Sequence, residues 1–251
     1  MDSRVLRDDM VDALEHALAD GLDERVVDAM RRVPRHEFVA ERPYDNRDSE
    51  HEGTRVLAPA TVARMLAALD PQEGDETLVV GAGVGYTSAV LAELVGDRHV
   101  HAVDITRRLV WEARSNLDDA GYGAVLVDCR NGADGLPEYA PFDRILVEAA
   151  AIDPPRRLVS QLADDGRLVL PLGGPEQELT AVERTGDDSE RDSTVVGRFG
   201  EVAFSPMLVE GEQHGRVARN RTHREDQEYA ERGWHARTGW EQDWVDWDEH
   251  L

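Results

Sequence analysis

The chain has 251 residues, with 52 aspartates and glutamates against 28 basic side chains, all of them arginine, and a formal net charge of −24 at neutral pH. That length holds one large domain or one and a half, enough to bury a sizeable core, and the negative surface argues against nucleic acid or an anionic membrane as partner. The acidity runs along the whole chain, which fits a surface adapted to very high salt, where repulsion is screened; the use of arginine for every basic residue fits the same habitat, and biased base composition would produce it too.

The opening residues MDSRVLRDDM carry no basic segment followed by an apolar stretch, and no apolar run approaches the ~18 residues that span a bilayer. A cytoplasmic protein is expected. Cys129 is the single cysteine, so no disulfide forms within the chain, and the nine histidines show no metal-ligand spacing. No metal is expected, and Cys129, at the end of a predicted strand, reads as a small buried apolar residue.

Leu6, Met10, Leu14 and Leu18 recur every four residues and predict an amphipathic helix; Asp23 then caps a second over 24–33, ended by Pro34. Residues 40–56, polar and rich in Pro, Asp and Arg, predict an irregular loop before a helix over 59–69. From Thr77 the pattern alternates: strand 77–80, helix 86–95, strand 99–103, helix 107–119 stopped by Gly121, strands 124–128 and 143–148, helix 155–163 and strand 167–171. Such alternation builds a parallel sheet with helices on both faces. Two further strand-like runs, 178–184 and 194–204, joined by the charged loop TGDDSERDS, add antiparallel strands at one edge. Residues 211–238 are strongly charged and nearly free of aliphatics, which predicts a loosely docked segment. Trp240, Trp244 and Trp247 then fall at helical spacing behind Trp234, either a terminal helix packed on the domain or a helix that docks a partner.

The chemistry concentrates in LVVGAGVGYTSAVLAELVGDRHVHAVD, from Leu78 to Asp104. Gly81, Gly83 and Gly85 let the backbone turn sharply and approach a ligand, and the helix from Tyr86 aims its free N–H groups at whatever lies above them. Asp104 ends the next strand at about the ~20-residue distance where a carboxylate meets ribose hydroxyls. An adenosine-bearing cofactor follows. A dinucleotide fingerprint would need a third glycine where Tyr86 stands, which disfavours NAD, and a P-loop needs a lysine that the chain lacks. G-x-G-x-G followed by an acid looks like the S-adenosylmethionine site of Rossmann-like methyltransferases; a tight strand-to-helix turn without a ligand is the plainer alternative.

The phrases AMRRVPRHEFV (29–39), LVVGAGVGYTSAVLAEL (78–94), LPEYAPFDRILVEAAA (136–151) and LVSQLADDGRLVLPLG (158–173) together resemble the protein-L-isoaspartate O-methyltransferase family over roughly residues 5–210. The resemblance implies an α/β fold, a Rossmann-like methyltransferase sandwich whose mostly parallel sheet carries antiparallel edge strands, with N-terminal helices and a C-terminal extension. It divides the chain into a helical cap with acceptor loop (1–72), an S-adenosylmethionine-binding domain (73–210) and a charged, tryptophan-bearing extension (211–251). It implies methyl transfer from S-adenosyl-L-methionine to the α-carboxyl of isoaspartyl residues in damaged proteins, after which the ester collapses to a succinimide. The acceptor is already ionised and the donor activated, so positioning in a dry pocket suffices and no general base is needed. By resemblance Gly81, Ala82, Gly83 and Gly85 cradle the methionine end, Asp104 holds the ribose, and Asn131 with Gly132 holds the adenine. Thr54 and Arg55 are the acceptor-loop candidates for a catalytic role.

The acceptor side departs from the family's pattern. The loop G-Q-T-I-S-Q-P aligns with Gly53–Pro59, so Leu57 replaces the serine and Ala58 the glutamine; Val79 stands where the family has an acid two residues before the first glycine. Asn131 replaces an aspartate, although its amide oxygen can still accept from the adenine amine. Glu148 stands where a threonine or small residue is usual, and faces the acceptor, a helix N-terminus or solvent. Arg55 reaches a substrate carboxylate or Glu148, or is a solvated arginine on a loop tip. A carboxylate beside the acceptor would repel it and a lost donor costs ~1.5–3 kcal/mol, so isoaspartyl methylation is expected to be weaker than in members that keep the loop. Three functions stay open: an isoaspartyl methyltransferase, a methyltransferase of the same fold with another acceptor, and a non-catalytic protein that senses S-adenosylmethionine or docks a partner.

Overall fold

The computed structural model describes residues 2–17, 22–51, 53–184 and 193–207; most of the TGDDSERDS loop and the whole tryptophan-bearing tail lie outside them. Helix α1 (Ser3–Ala17) buries Met10, Val11 and Leu14, and α2 (Glu24–Arg32) starts where expected, the Asp23 side chain accepting the Arg25 N–H as its cap. The stretch expected to be an irregular loop contains a small hairpin, β1 (Ser49–His51) with β2 (Thr54–Val56). Its polar residues find partners in distant parts of the chain: Arg55 bonds both Asp48 and the Ala203 carbonyl, and His51 Nε2 lies 2.5 Å from Glu112. Helix α3 (Pro59–Leu69) opens on proline, whose missing N–H costs nothing at a first helical position.

Then the alternation begins: β3 (Thr77–Val80), α4 (Tyr86–Val95), β4 (Val100–Asp104), α5 (Arg107–Asp119), β5 (Leu126–Cys129), β6 (Phe142–Val147), α6 (Arg156–Val159) and β7 (Leu162–Gly173). Two antiparallel strands, β8 (Gln177–Arg184) and β9 (Ser193–Val202), complete a seven-stranded sheet of order β5-β4-β3-β6-β7-β8-β9, whose first five members run parallel. The expected helix over 155–163 is a single turn. Its last residues are captured by the sheet instead: the Phe142 N–H donates to the Gln161 carbonyl, and Leu162 pairs with Phe142. Cys129, expected to be buried, is exposed because β5 is the outer strand on that side and has only one neighbour to cover it.

Side chains alternate across β3. Val79 joins an apolar cluster with α1 to α5, and Leu78 and Val80 join a second cluster with Leu158 and Val159 of α6. From β3 the chain passes to β4 on one side and later returns to β6 on the other, which opens a crevice at the C-terminal ends of these strands. Between Glu178 and Thr180 the pairing of β8 with β9 slips, and Gly200 there takes φ +85°. Arg64 of α3 reaches across to donate to the carbonyls of Phe199 (2.7 Å) and Glu201 (3.3 Å) beside that bulge. Among the described residues no helix is long and apolar enough to cross a membrane.

Gln161 holds the segment after β5 to the sheet. It accepts from the Leu136 N–H (2.8 Å) and donates to the carbonyls of Asp134 (2.8 Å) and Arg157 (3.0 Å) while only 6% exposed. Gln161→Leu strands these groups and is expected to lower unfolding stability by about 2–4 kcal/mol, read by urea denaturation as a lower midpoint at unchanged slope.

Candidate functional site

The crevice holds a cavity of about 260 Å³ whose floor is Gly81 after β3, Asp104 at the end of β4, and Asn131 with Gly132 after β5. Thr54 of the hairpin and Ser205 beyond β9 form the opposite wall. Asp104 is 8% exposed, and its carboxylate accepts from the Gly83 N–H (3.0 Å) and the Thr106 N–H (2.8 Å). A carboxylate has about four acceptor positions, so two bonds leave capacity for hydroxyls in the cavity. The turn itself is tied to the same strand, because Gly81 N–H (2.9 Å) and Ala82 N–H (3.0 Å) both donate to the Val103 carbonyl.

Glycine is required at two of these places. At Gly81, φ is +95° and a Cβ would sit 3.3 Å from that of Glu148. At Gly132 a Cβ would meet Val80 Cγ1 at 2.4 Å, so only hydrogen fits between that wall and the centre of the sheet. The Asn131 amide oxygen, expected to receive the adenine amine, already accepts the Ala133 N–H (3.1 Å) and caps a short turn over Gly132–Asp134. Its second lone pair and its two N–H donors are what it can give a ligand.

Behind the glycine turn lies a smaller space of about 20 Å³, bounded by Ala82, Gly83, Tyr86, Thr87, Arg35 and Glu148. Glu148 reaches it because it follows Leu146 on the same face of the sheet, the face that carries Val79. The carboxylate thus points behind the turn and does not line the larger cavity. Among the described residues Glu148 Oε1 is shut off from solvent and has no hydrogen-bond partner. Burial pushes this carboxyl up to about 7, with the Thr87 hydroxyl and the Arg35 guanidinium pulling the other way and Asp104 adding to the rise.

Arg35, from the phrase VPRHEFV, is only 2% exposed and lies 4.2 Å from the centre of the Tyr86 ring. Its Nε donates to the Pro43 carbonyl (2.8 Å) and one terminal nitrogen to that of Leu57 (2.7 Å), but Nη1 has no partner, and neither has the Tyr86 hydroxyl. Burial lowers the affinity of Arg35 for its proton and raises that of Tyr86. No role for either side chain follows from the spacing of residues along the chain; the one signal was that the phrase carrying Arg35 belongs to the resemblance.

The acceptor-loop residues separate. Thr54 faces the larger cavity, whereas Arg55 is engaged with Asp48 and the Ala203 carbonyl and lies 5.5 Å from the Phe204 ring centre. It is exposed, as a solvated arginine would be, but it sits on a strand in an ion pair with Asp48 and is not paired with Glu148. Leu57 turns into the apolar core at 5% exposure. Ser205, which sequence reasoning missed, enters the cavity wall because its carbonyl accepts the Ala150 N–H (2.8 Å) and draws the chain after β9 over the end of β6.

The buried Glu148 makes stability depend on pH with a definite sign. Unfolded, the carboxyl titrates at its ordinary 4.5; folded, near 7, so between those values the native state holds the extra proton and stability falls as pH rises. Glutamine cannot ionise. Glu148→Gln is therefore expected to flatten the decline and to gain about 2–3 kcal/mol over the unmodified protein at pH 8, with little difference at pH 4, read by denaturation at both pH values.

A sequence profile described as protein-L-isoaspartate(D-aspartate) O-methyltransferase (PCMT) matches residues 7–212. The chain is 46% identical over 198 residues to the protein-L-isoaspartate O-methyltransferase of Aeropyrum pernix, covering 74% of this chain and 73% of that one. To the protein of the same name from Methanosarcina mazei it is 40% identical over 216 residues, covering 81% and 83%. Among solved structures, a Plasmodium falciparum protein in complex with S-adenosyl-L-homocysteine superposes with a TM-score of 0.68 at 21% identity, covering 80% of this chain and 97% of that one. That likeness shows the same α/β sandwich, the Rossmann-like fold of methyltransferases. On the profile and the identities together, the chain belongs to the protein-L-isoaspartate O-methyltransferase family.

Proposed function

We propose that this protein is an S-adenosylmethionine-dependent O-methyltransferase that acts on isoaspartyl carboxylates of damaged proteins, and so serves their repair. The observation that carries the reading is the Asp104 carboxylate clasping the glycine turn on the floor of a 260 Å³ cavity at the crossover of the sheet. The residues present fit the cofactor: the turn is free of side chains over the cavity, and Asp104 keeps acceptor capacity toward it. S-adenosylmethionine, when bound, supplies a methyl group on a positive sulfur. Gly81, Ala82, Gly83 and Gly85 would hold its methionine end, Asp104 the ribose, and Asn131 with Gly132 the base.

The acceptor carboxylate needs no base, only a position and a dry surrounding. Thr54 and Ser205 are the hydroxyl residues that the chain segments outside the parallel strands bring to the lining of the cavity. The hairpin that carries Thr54 is pinned by Asp48, Glu112 and Ala203, which fixes the position of that side of the cavity. Glu148, which the sequence suggested as a repulsive charge, stands behind the turn and clear of this cavity. A cytoplasmic setting at high salt fits the charge of −24. The division into helical cap, cofactor domain and charged extension belongs to the same reading. A methyltransferase of the same fold with another acceptor is the second reading, favoured by the engagement of Arg55 with Asp48.

With labelled S-adenosylmethionine at molar salt, transfer is expected to an isoaspartyl peptide and not to its aspartyl twin. Transfer only to other cellular material supports the second reading, and saturable binding without transfer a non-catalytic role. Asp104→Ala is expected to weaken S-adenosylhomocysteine by about ten- to hundred-fold, through lost charged hydrogen bonds and a loosened turn; calorimetry reads it. Because the Leu57 side chain is in the core, Leu57→Ser is expected to cost about 2–4 kcal/mol of stability and to leave isoaspartyl transfer no faster, read by denaturation beside the peptide assay.

A further inference from the structure

Three buried polar atoms without partners border the small space behind the glycine turn. One is an acceptor, Glu148 Oε1, and two are donors, Arg35 Nη1 and the Tyr86 hydroxyl. The Arg35 guanidinium and the Tyr86 side chain lie against each other, so the group left in need is the Glu148 acceptor, whose burial unpaired costs about 1–3 kcal/mol and points to a bound donor. The space is about 20 Å³, enough for one water-sized group. An ammonium is of that size.

The placement of charge narrows the ligand. Val79 is fully buried and apolar where an acid is usual, and it pairs across the sheet with Leu146. Glu148 lies two residues beyond Leu146 on the same face, so a carboxylate absent from β3 is present on the neighbouring strand, directly under Gly81. Among the described residues the Thr87 hydroxyl and, at longer range, the Arg35 guanidinium favour its charged form, but no cation is ion-paired with it. Arg35 donates its other nitrogens to carbonyls, and Arg55, on the same space, is held by Asp48.

We propose that Glu148 binds the ammonium group at the methionine end of the cofactor, in the small space that the Tyr86 hydroxyl also borders. This rests on the S-adenosylmethionine reading above and adds to it a residue on which the glycine pattern is silent. It also accounts for a costly feature: a buried carboxylate with one oxygen unpaired is retained because the ligand completes it.

Two ligands that share a nucleoside and a thioether test it by calorimetry. S-adenosylhomocysteine carries the amino-acid end, and 5′-methylthioadenosine lacks it. Glu148→Gln is expected to weaken S-adenosylhomocysteine about ten- to hundred-fold and 5′-methylthioadenosine less than about two-fold, the second ligand also reporting that the variant is folded. Tyr86→Phe is expected to weaken only S-adenosylhomocysteine, by about three- to tenfold. Unchanged S-adenosylhomocysteine affinity in Glu148→Gln, or an equal loss for both ligands, overturns the assignment while leaving the cofactor reading intact. Failure of the unmodified protein to bind either ligand overturns both.

Discussion

The site depends on one carboxylate that does two structural tasks at once. Asp104 takes the N–H of Gly83 with one oxygen and that of Thr106 with the other, and so fastens the turn after β3 to the start of the segment that leads into α5. The preceding residue adds its carbonyl to the N–H groups of Gly81 and Ala82. A turn built from glycines has little preference of its own for one shape. Its shape here is imposed from the adjacent strand, and a side chain on Gly81 would meet Glu148 at its back. The surface offered to a ligand is therefore made of backbone whose position is set by two strands.

The parts of the fold with strong periodicity were legible. β3, α4 and α5 have the expected bounds because β3 is buried on both faces, α4 is an almost wholly buried apolar run stopped by Gly96, and α5 presents an apolar stripe. The hairpin was not legible. Its strands are three residues each, too short for a period, and it is held by contacts as distant in sequence as Arg55 with Ala203, 148 residues apart. The single turn of α6 was overestimated for a similar reason: an apolar run after Pro155 reads as helix until Phe142, far away, claims Gln161 and Leu162 for the sheet.

Within the site, residue types were easier to read than directions. The glycines and Asp104 declare themselves by spacing, and the structure brings Gly81 and Asp104 to one cavity while Ala82 and Gly83 border the smaller space beside it and Gly85 lines neither. Glu148 could be seen as a departure, but which way it faces depends on how β6 sits against β3 and on α4 beginning just above. Arg35 and Tyr86 had no periodic signal at all, since their significance lies in atoms left without partners. Leu57 and Val79 are both apolar residues in positions where polar ones are usual, and both are absorbed by the same hydrophobic cluster. The small space beside the turn therefore has apolar residues in much of its lining, and its charge is carried by Glu148, Arg35 and Arg55.

The bulge in β9 has a bearing on how the molecule behaves among copies of itself. Among the described residues β9 is the outermost strand, and it exposes Val195, Val196 and Phe199. A regular, apolar sheet edge is a template on which another chain can add a strand and begin aggregation. Here the backbone is thrown out of step at Gly200, and Arg64 occupies the carbonyls on either side of it. An incoming strand would find the row of acceptors interrupted near the C-terminal end of β9. Where salt weakens the mutual repulsion of acidic surfaces, an interrupted edge is a barrier to strand pairing that does not depend on charge.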